Sequence, residues 1–246
     1  MKRLKQRLDL LVFERGLAES RSKSQALILA GQVVVNDQRV DKPGVLVDIA
    51  AVVRLKGEVL PYVSRGGLKL KKAIDAFQLN IRGKIAADIG ASTGGFTDCL
   101  LQEGANKVYA LDVGHGQLHE KLRQDPRVIN REKVNARYLT ADALPELIEV
   151  MTLDVSFISL KKVLPPVTQR LAEGGILIAL IKPQFEVGRS KIGKGGVVTD
   201  PVARQTAIDD ILSFSRSIRL KVWGTVDSPI LGPAGNLEAL MVSSYC

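Results

Sequence analysis

The sequence from Lys84 onward alternates short apolar runs with helix-like segments. The apolar runs read KIAAD, KVYALDV, RVIN, IEVMTLDVSF, GGILIALIKP, LKVWGTVDS and LEALMVSSY. Helices are predicted around 97–103, 160–171 and 201–218. This alternation predicts an α/β fold with an open, mostly parallel sheet and helices on both faces. Such sheets bind ligands beyond the carboxyl ends of their strands, so functional residues are expected just after each strand.

A separate α+β domain is predicted for residues 1–60. A first helix over 4–15 is followed by a second helix over 21–30, for which Ser20 is a suitable N-cap. The stretch QVVVNDQRV then predicts two short strands around a turn at Asn36-Asp37. The residues expected to share the apolar face of the first helix are Leu4, Leu8, Leu11 and Val12.

The boundary between the two domains is expected in a linker near 57–66. Pro61 and the glycine pair Gly66-Gly67 interrupt the pattern there, and a basic helix is predicted from Leu68 to Phe77. The second domain therefore covers 61–246.

The distribution of charge indicates a polyanionic partner. The chain has 35 Lys and Arg against 26 Asp and Glu, and residues 85–246 hold 18 of each kind. The positive excess therefore lies entirely in the first third of the sequence, which is the part expected to face a polyanion; a solvated basic surface is the alternative.

The apolar runs and the cysteines favour a cytoplasmic protein. No apolar run approaches the roughly 18 residues that span a bilayer, so stable membrane insertion is not expected. The basic start MKRLKQRLDLL lacks the apolar core of a signal peptide. Cys99 and Cys246 are far apart and form neither a disulfide framework nor a zinc spacing.

A glycine-rich turn follows the first strand of the predicted sheet, in DIGASTGGF, and an aspartate ends the next strand. The glycines permit close approach of a ligand, and Asp112 can accept hydrogen bonds from ribose hydroxyls. Asp88 could face a cationic amino-acid group. A nucleoside that carries an ammonium group fits these features, which predicts S-adenosylmethionine as the cofactor. The residues expected to bind it are Asp88, Gly90, Ser92, Thr93, Gly94, Gly95, Phe96, Asp112 and Val113.

Two other nucleotide sites are disfavoured. The turn lacks the Gly-x-Gly-x-x-Gly spacing of a dinucleotide site. The segment from Gly188 to Lys194 has the spacing of a phosphate loop, but Gly195 replaces the required Ser or Thr. A mobile basic loop that contacts substrate is the preferred interpretation of this segment.

Four charged residues are expected at one edge of the sheet. Lys69 follows the linker, Asp154 and Lys182 end strands, and Glu238 opens the last strand. Charged side chains at such positions are unfavourable unless they are paired, so a shared site explains them better than four separate surface charges.

The histidines, Cys99 and two of the phenylalanines are not assigned to the catalytic or cofactor site. His115 and His119 lie beside glycines, which favours a loop over a metal site, and no metal is expected. Cys99 is interpreted as a packing residue. Phe157 and Phe185 could stack on a base, although core packing is at least as good an explanation.

The N-terminal motif RLDLLVFERGLAESRSKSQALILAGQVVVNDQRV resembles the RNA-binding domain of the ribosomal-protein-S-four type. The family pattern usually has Gly after the Asn, where this chain has Asp37, which also tolerates the turn. Phosphate is favoured beside the free N–H groups that begin the second helix. The residues expected to contact RNA are Arg7, Arg21, Lys23 and Arg65.

The whole chain resembles the TlyA family, whose members are called hemolysins or ribosomal RNA 2′-O-methyltransferases. The resemblance rests on SRGGLKL, DIGASTGGFTDCLL, LDVGHGQL, LDVSFISL, IKPQFE and GPAGNLEAL. It implies a Rossmann-like methyltransferase sheet, and the Lys-Asp-Lys-Glu set of FtsJ-like enzymes falls on Lys69, Asp154, Lys182 and Glu238.

The resemblance implies methylation of a cytidine 2′-hydroxyl in ribosomal RNA, with ribosomal subunits as partners. Lys182 would either stabilise the forming alkoxide or accept its proton, and the sequence leaves both roles open. Two alternatives also remain at this point. One is a ribosome-binding or assembly factor without turnover, and the other is a membrane-active protein, as the name hemolysin suggests.

Overall fold

The computed structural model describes residues 4–56 and 61–246. These residues divide into two compact units, Met1–Val59 and Leu60–Cys246. The part of the predicted linker at 57–60 lies outside the described residues.

The first unit combines two helices with short antiparallel strands. Strand β1 pairs with β4, and β2 lies between β3 and β5. Its core is formed by residues of both helices and of the strands, among them Leu8, Val12, Ile28, Val33 and Val53. The elements are β1 (Lys5–Arg7), α1 (Leu8–Glu14), α2 (Arg21–Leu29), β2 (Val33–Val35), β3 (Gln38–Val40), β4 (Leu46–Asp48) and β5 (Val53–Leu55).

The predicted helix over 4–15 is wrong at its start. Residues Lys5–Arg7 are a strand that pairs with Leu46–Asp48, and the helix begins only at Leu8. Leu4 does not share the apolar face, since 71% of its surface is exposed. A partner about 40 residues away in sequence therefore overrides the local helical pattern.

The predicted cap and turn of this unit are confirmed. The hydroxyl of Ser20 accepts a hydrogen bond from the backbone N–H of Lys23 at 3.1 Å, at the start of α2. Asn36 and Asp37, between β2 and β3, have φ values of 48° and 66°. Both residues of this two-residue turn are left-handed, the conformation that Asn and Asp tolerate best after Gly.

The second unit contains one seven-stranded sheet in the order β11-β12-β10-β9-β6-β7-β8. Its strands are β6 (Ile85–Ile89), β7 (Lys107–Leu111), β8 (Val128–Arg131), β9 (Ile148–Leu153), β10 (Leu171–Ile181), β11 (Leu220–Asp227) and β12 (Ala239–Tyr245). Its helices are α3 (Gly66–Phe77), α4 (Gly95–Gln102), α5 (Glu120–Arg123), α6 (Leu160–Thr168), α7 (Pro183–Glu186) and α8 (Pro201–Ser217).

The sheet is mostly parallel, as predicted. Strands β8, β7, β6, β9 and β10 pair in parallel, whereas β12 is antiparallel to both β10 and β11. The chain leaves β6 toward β7 and β8 and then returns to β9 on the other side of β6. This reversal opens a crevice at the carboxyl ends of β6 and β9, where doubly wound sheets bind ligands.

Each face of the sheet is covered by helices, which also confirms the prediction. One apolar cluster joins α3 and α4 to the sheet, through residues such as Leu70 and Leu100. The other joins α6 and α8 to the opposite face, through residues such as Leu164 and Ile211. The two clusters bury most residues of the central strands β6, β7 and β9 and of β12, which explains their nearly continuous apolar sequences.

The glycine pair of the predicted linker lies inside α3 rather than before it. A Cβ atom on Gly67 would lie 2.3 Å from the ring of Tyr62, which is buried in the same apolar cluster. Gly67 is therefore required because an aromatic side chain packs directly on the first turn of the helix.

Candidate active site

The turn after β6 requires glycine at two positions. Gly90 has a φ of 85°, and a Cβ atom there would lie 2.6 Å from the carbonyl oxygen of Asp154. Gly94 has a φ of 96°, and its Cβ atom would lie 2.2 Å from Leu122. The backbone therefore follows a path that other residues cannot take, and it leaves the ends of β6 and β9 in close contact.

Asp112 holds two loops together at the end of β7. Its Oδ2 accepts a hydrogen bond from the backbone N–H of Ser92 at 2.8 Å, and its Oδ1 accepts one from Gly114 at 2.7 Å. The side chain is half-buried and lines a cavity. Each carboxylate oxygen can accept more than one hydrogen bond, so Asp112 keeps acceptor capacity for a ribose.

This cavity, which we call the donor cavity, has a volume of about 440 Å³ and lies beyond the carboxyl ends of β6, β7 and β9. That volume is within the usual range for small-molecule sites. It is lined by four of the residues predicted to bind the cofactor, namely Gly90, Ser92, Asp112 and Val113.

The far wall of the donor cavity consists of residues that were not predicted from the sequence. Val134, Asn135, Ala136 and Arg137, which follow β8, line it, and so does Gln117. The position of VNAR shortly after a parallel strand could have indicated this, since all carboxyl ends of the strands meet at one edge.

Asp88 does not reach the donor cavity, which corrects the expectation that it faces the ligand. The side chain is fully buried and accepts hydrogen bonds from the hydroxyls of Thr97 at 2.7 Å and Thr152 at 3.0 Å. Burial raises the pKa of Asp88 to about 7, and the two hydroxyl contacts oppose that rise. Through these two hydrogen bonds, Asp88 connects β6 to α4 and to β9 in the interior, next to the glycine turn.

Four other predicted cofactor residues, including Gly94 of the turn described above, are also absent from the cavity lining. Gly95 lets α4 approach α3, because a Cβ atom there would lie 2.9 Å from the backbone nitrogen of Gly67. Phe96 is buried in the apolar cluster beneath the turn. Thr93 is exposed, and its carbonyl oxygen accepts a hydrogen bond from the backbone N–H of His119 at 3.2 Å.

The four charged residues predicted at the sheet edge form two ion pairs. Lys69 Nζ lies 2.7 Å from Glu238 Oε2, and Lys182 Nζ lies 2.6 Å from Asp154 Oδ1. Lys182 also donates to Ser156 Oγ at 2.7 Å. We call Lys69, Asp154, Lys182 and Glu238 the charged set.

The register of the strands explains how the charged set assembles. Ile181 of β10 is opposite Ala239 of β12, so Lys182 and Glu238 are the next residues at the same end of two adjacent strands. Asp154 directly follows β9, on the other side of β10, and also lines the donor cavity. Three members of the set thus extend from neighbouring strands, and Lys69 joins them from α3.

Glu238 has unused hydrogen-bonding capacity. It is fully buried, and its Oε1 has no hydrogen-bond partner among the described residues. Gly232 packs against it, since a Cβ atom there would lie 2.4 Å from Oε1. A buried acceptor without a donor is unfavourable by itself, so this oxygen is suited to a hydroxyl or ammonium group of a ligand.

Phe157 is an exposed aromatic residue at the rim of the donor cavity. Its surface is 91% exposed, which rules out core packing for this side chain. Its φ of 63° is unusual for a bulky residue, and its ring centroid lies 5.2 Å from that of Phe185. A strained backbone that presents an aromatic ring to solvent is a feature of functional sites.

The predicted RNA-contacting residues lie in two groups. Arg7, Arg21 and Lys23 belong to the first unit, where the two arginines contact the buried Asp9 and Lys23 is exposed at the start of α2. Arg65 is half-buried and precedes α3 in the second unit.

The segment Gly188–Lys194 does not form a phosphate loop. Short 3₁₀ turns at Arg189–Lys191 and Lys194–Gly196 follow α7, and α8 begins only at Pro201. The buried Asn236 fixes this segment, because its side chain donates to Gly196 O and accepts from Val198 N at 2.9 Å each. A phosphate loop would instead lead directly into a helix.

The histidines and Cys99 make local contacts. His115 Nδ1 contacts Glu132, and His119 Nδ1 accepts from Lys121 N at 3.2 Å. In residues 4–56 and 61–246, no three His, Cys, Asp or Glu side chains are grouped so that they could hold a metal ion. Burial raises the pKa of Cys99 to about 12, so its thiol is unreactive near neutral pH.

No helix in residues 4–56 and 61–246 is both long enough and apolar enough to cross a bilayer.

Comparison with known proteins gives consistent matches over the whole chain. Residues 62–245 match the family described as "FtsJ-like methyltransferase", and residues 6–53 match "S4 domain". The chain is 49% identical over 238 residues to "Putative rRNA methyltransferase YqxC" of Bacillus subtilis, which covers 96% of this chain and 85% of that protein.

Two further matches extend this similarity. The chain is 41% identical over 233 residues to "16S/23S rRNA (cytidine-2'-O)-methyltransferase TlyA" of Mycobacterium tuberculosis, which covers 94% of this chain and 87% of that protein. A solved structure described as "Putative hemolysin from Streptococcus thermophilus" superposes with a TM-score of 0.77 and 45% identity, covering 99% of this chain and 89% of that one.

Proposed function

Because the chain belongs to the FtsJ-like methyltransferases of the TlyA type, we propose that it methylates the 2′-hydroxyl of a cytidine in ribosomal RNA. S-adenosylmethionine is the proposed methyl donor. The observation that supports this reaction most directly is the charged set, whose member Asp154 lines the donor cavity and pairs with Lys182.

The residues of the donor cavity fit a nucleoside with an amino-acid tail. We assign the ribose hydroxyls to Asp112, which already fixes the flanking loops through Ser92 and Gly114. Gly90 lines the cavity without a side chain, and a Cβ atom at this position would collide with the carbonyl oxygen of Asp154. The base is assigned to the wall formed by Val113 and 134–137.

The donor supplies an electrophilic methyl group on a positively charged sulfur, so the protein mainly has to orient the acceptor. In the transfer, the hydroxyl oxygen forms a bond to the methyl carbon, the carbon–sulfur bond breaks with its electrons on sulfur, and the hydroxyl proton passes to water. We assign Lys182 to the acceptor oxygen, because it ends a central strand beside the cavity-lining Asp154.

Lys182 is assigned an electrostatic role rather than that of a base. Its Nζ lies 2.6 Å from Asp154 Oδ1 and donates to Ser156 Oγ at 2.7 Å, so both side chains hold it in position. It would donate a hydrogen bond to the oxygen as negative charge develops there in the transition state. Glu238, with its free Oε1, would accept from an RNA hydroxyl, and Lys69 would hold Glu238 in place.

RNA binding is assigned to both units. The first unit carries the match to the S4 domain, and Arg7, Arg21 and Lys23 are its proposed contacts with phosphate. In the second unit we add Arg65 and the exposed Phe157, whose ring can stack on a base. Ribosomal RNA is the proposed partner, the cytoplasm is the proposed location, and no metal is proposed for the reaction.

Methyl transfer from tritiated S-adenosylmethionine to ribosomal subunits tests the proposal. We expect label in ribosomal RNA, and nuclease digestion should place it on the 2′-oxygen of a cytidine. Label on a base would contradict the assigned chemistry. K182A is the matched variant that should transfer no label. If the unaltered protein labels neither intact subunits nor naked RNA, the proposal is overturned.

A further inference from the structure

Asp9 is a buried carboxylate at the centre of a cluster of donors in the first unit. Arg7 binds it with two hydrogen bonds, from Nε to Oδ1 and from Nη2 to Oδ2, each 3.0 Å long. Arg21 Nε donates to Oδ2 at 3.1 Å, and Gln25 Nε2 donates to the same oxygen at 2.8 Å. Asp9 itself has no exposed surface, so it cannot contact a ligand directly and can affect one only through other residues.

The electrostatic state of Asp9 is fixed by the same contacts. The hydrogen bonds from Arg7 hold the pKa of Asp9 far below its ordinary value, and those from Gln25 and Arg21 act in the same direction. The carboxylate is therefore ionised across the whole range in which proteins are stable.

The two arginines remain available to a ligand although they are anchored. Their side chains are 44% and 51% exposed. Among the described residues, no hydrogen bond uses Nη1 of Arg7 or either Nη atom of Arg21. Each guanidinium group thus binds Asp9 along one edge and has further N–H groups that can donate to an anion.

We infer that Asp9 is a positioning residue for RNA binding, which fixes Arg7 and Arg21 as one rigid pair of phosphate-binding groups. The inference rests on the proposed function, since it assumes that these arginines contact RNA. A free arginine loses rotamer freedom when it binds phosphate, whereas an arginine that is already anchored has lost it on folding. The N-cap at Ser20 adds to the order, because Arg21 is the first residue of α2.

The sign of one substitution separates this inference from simple electrostatics. Asp9→Asn removes a negative charge, so the net positive charge that attracts RNA increases. If charge alone governs binding, the variant binds RNA more tightly. If Asp9 acts by fixing the arginines, the variant binds RNA more weakly despite its higher charge.

The experiment measures the affinity of the full chain for purified bacterial ribosomal RNA, and for S-adenosylmethionine separately. We expect D9N to weaken RNA binding by about tenfold and to leave donor affinity unchanged. In an R7A/R21A background D9N should have little further effect, because the residues through which it acts are gone. Unchanged or tighter binding by D9N would overturn the inference, and so would a full additional loss in the R7A/R21A background.

The arginine variants also distinguish this inference from the proposed function. If R7A/R21A does not weaken RNA binding, RNA contact by these residues is wrong and the inference about Asp9 fails with it. If R7A/R21A weakens binding but D9N does not, only the role of Asp9 is wrong.

Stability controls are needed because Asp9 is buried. Ile28→Val loosens the core of the same unit without changing the arginines or Asp9. If I28V lowers RNA affinity as much as D9N at the same loss of stability, Asp9 acts through folding alone and the inference is wrong.

If D9N does not fold, R7K is the test variant in its place. R39K is its control, since Arg39 is exposed and lies in β3, outside the Asp9 cluster. R7K should weaken binding clearly more than R39K, and equal effects would contradict the inference.

Discussion

Lys69 Nζ and Glu238 Oε2 lie 2.7 Å apart in the interior of the second unit, although 169 residues separate the two side chains in sequence. The lysine is 7% exposed and the glutamate is fully buried. Removal of one partner would leave an uncompensated buried charge, which is far more unfavourable than the loss of a surface ion pair.

We therefore expect Lys69→Met to lower the free energy of unfolding by about 3–5 kcal/mol. The double variant K69M/E238Q should recover much of that loss, because no charge remains buried. The matched control is Lys71→Met, which breaks an exposed pair with Asp75 in the same helix and should change stability by less than about 1 kcal/mol. Urea denaturation, followed through the single Trp223, measures all three. Equal effects of K69M and K71M would show that burial of the pair has no energetic consequence.

Asp112→Ala should weaken the binding of S-adenosylmethionine by about tenfold to a hundredfold, because a charged acceptor for the ribose is lost. The loss also releases the backbone N–H groups of Ser92 and Gly114. Isothermal titration calorimetry measures the affinity, and Asp142→Ala, an exposed aspartate outside the cavity lining, is the control. Unchanged affinity in a folded D112A variant would remove Asp112 from the donor site.

Lys182→Ala should lower the rate of methyl transfer by about 10²-fold or more, the usual scale for a positioned group of this kind. Donor and RNA affinities should change little, because the contact is strongest in the transition state. Single-turnover transfer measures the rate, and Lys161→Ala on α6 is the matched control. Turnover close to that of the unaltered protein would show that Lys182 is only the structural partner of Asp154.

Lys182→Arg separates the two chemical roles of this lysine. Arginine keeps the positive charge but does not deprotonate. Substantial activity in K182R would support electrostatic stabilisation. Activity as low as that of K182A would show that either proton acceptance or the shape of the lysine head group is required, so that positive charge alone is not sufficient.

Asp88 should make stability depend on pH. Its pKa is about 7 in the folded protein, against an ordinary value of 3.8, chiefly because of burial. Between these pH values the folded state keeps a proton that the unfolded state has lost, so the free energy of unfolding falls as pH rises from about 4 to about 7. Above that range the contribution of Asp88 no longer changes. Each unit of pKa difference corresponds to about 1.4 kcal/mol.

Asp88→Asn isolates this contribution, because asparagine does not titrate and can still bond to Thr97 and Thr152. Relative to D88N, the unaltered protein should lose stability steadily between pH 5 and pH 7 in urea denaturation. Asp142→Asn, on the surface, should follow the unaltered protein. Parallel pH curves for D88N and the unaltered protein would mean that Asp88 is ionised in the folded state throughout.

The charged set could be predicted from sequence because parallel strands place the residues that follow them at a single edge. Asp154 and Lys182 each follow a clear apolar run, Glu238 opens the last predicted strand and Lys69 follows the linker, and the family resemblance points to the same four residues. The pairing itself could not be predicted, since it depends on the register of β10 with β12 and on the approach of α3 to the sheet.

The direction of side chains was the weaker part of the prediction. Asp88 stands beside the glycine turn in sequence, yet its side chain points toward Thr97 and Thr152 in the interior. A sequence shows which residues are near a turn, but not which face of the strand they occupy once both faces are buried. The wall at 134–137 was missed for a different reason, since Val-Asn-Ala-Arg contains no glycine or carboxylate that would mark a nucleoside site.

Strand β1 shows the limit of local patterns in the first unit. Leu4, Leu8 and Leu11 have helical spacing, but residues 5–7 pair with 46–48 and the helix starts only at Leu8. The pairing partner is distant in sequence, and nothing within the helical window indicates it.

The antiparallel insertion of β12 between β10 and β11 has a consequence for how such a chain can change during evolution. Lys182 and Glu238 are neighbours only through the register in which Ile181 opposes Ala239. Residues can be gained or lost in the exposed connections without disturbing that match. A single inserted residue within β12 would turn Glu238 to the other face of the sheet, away from Lys69. Length variation among descendants of this sequence should therefore accumulate in the loops, while the spacing between Glu238 and the strand it precedes stays constant.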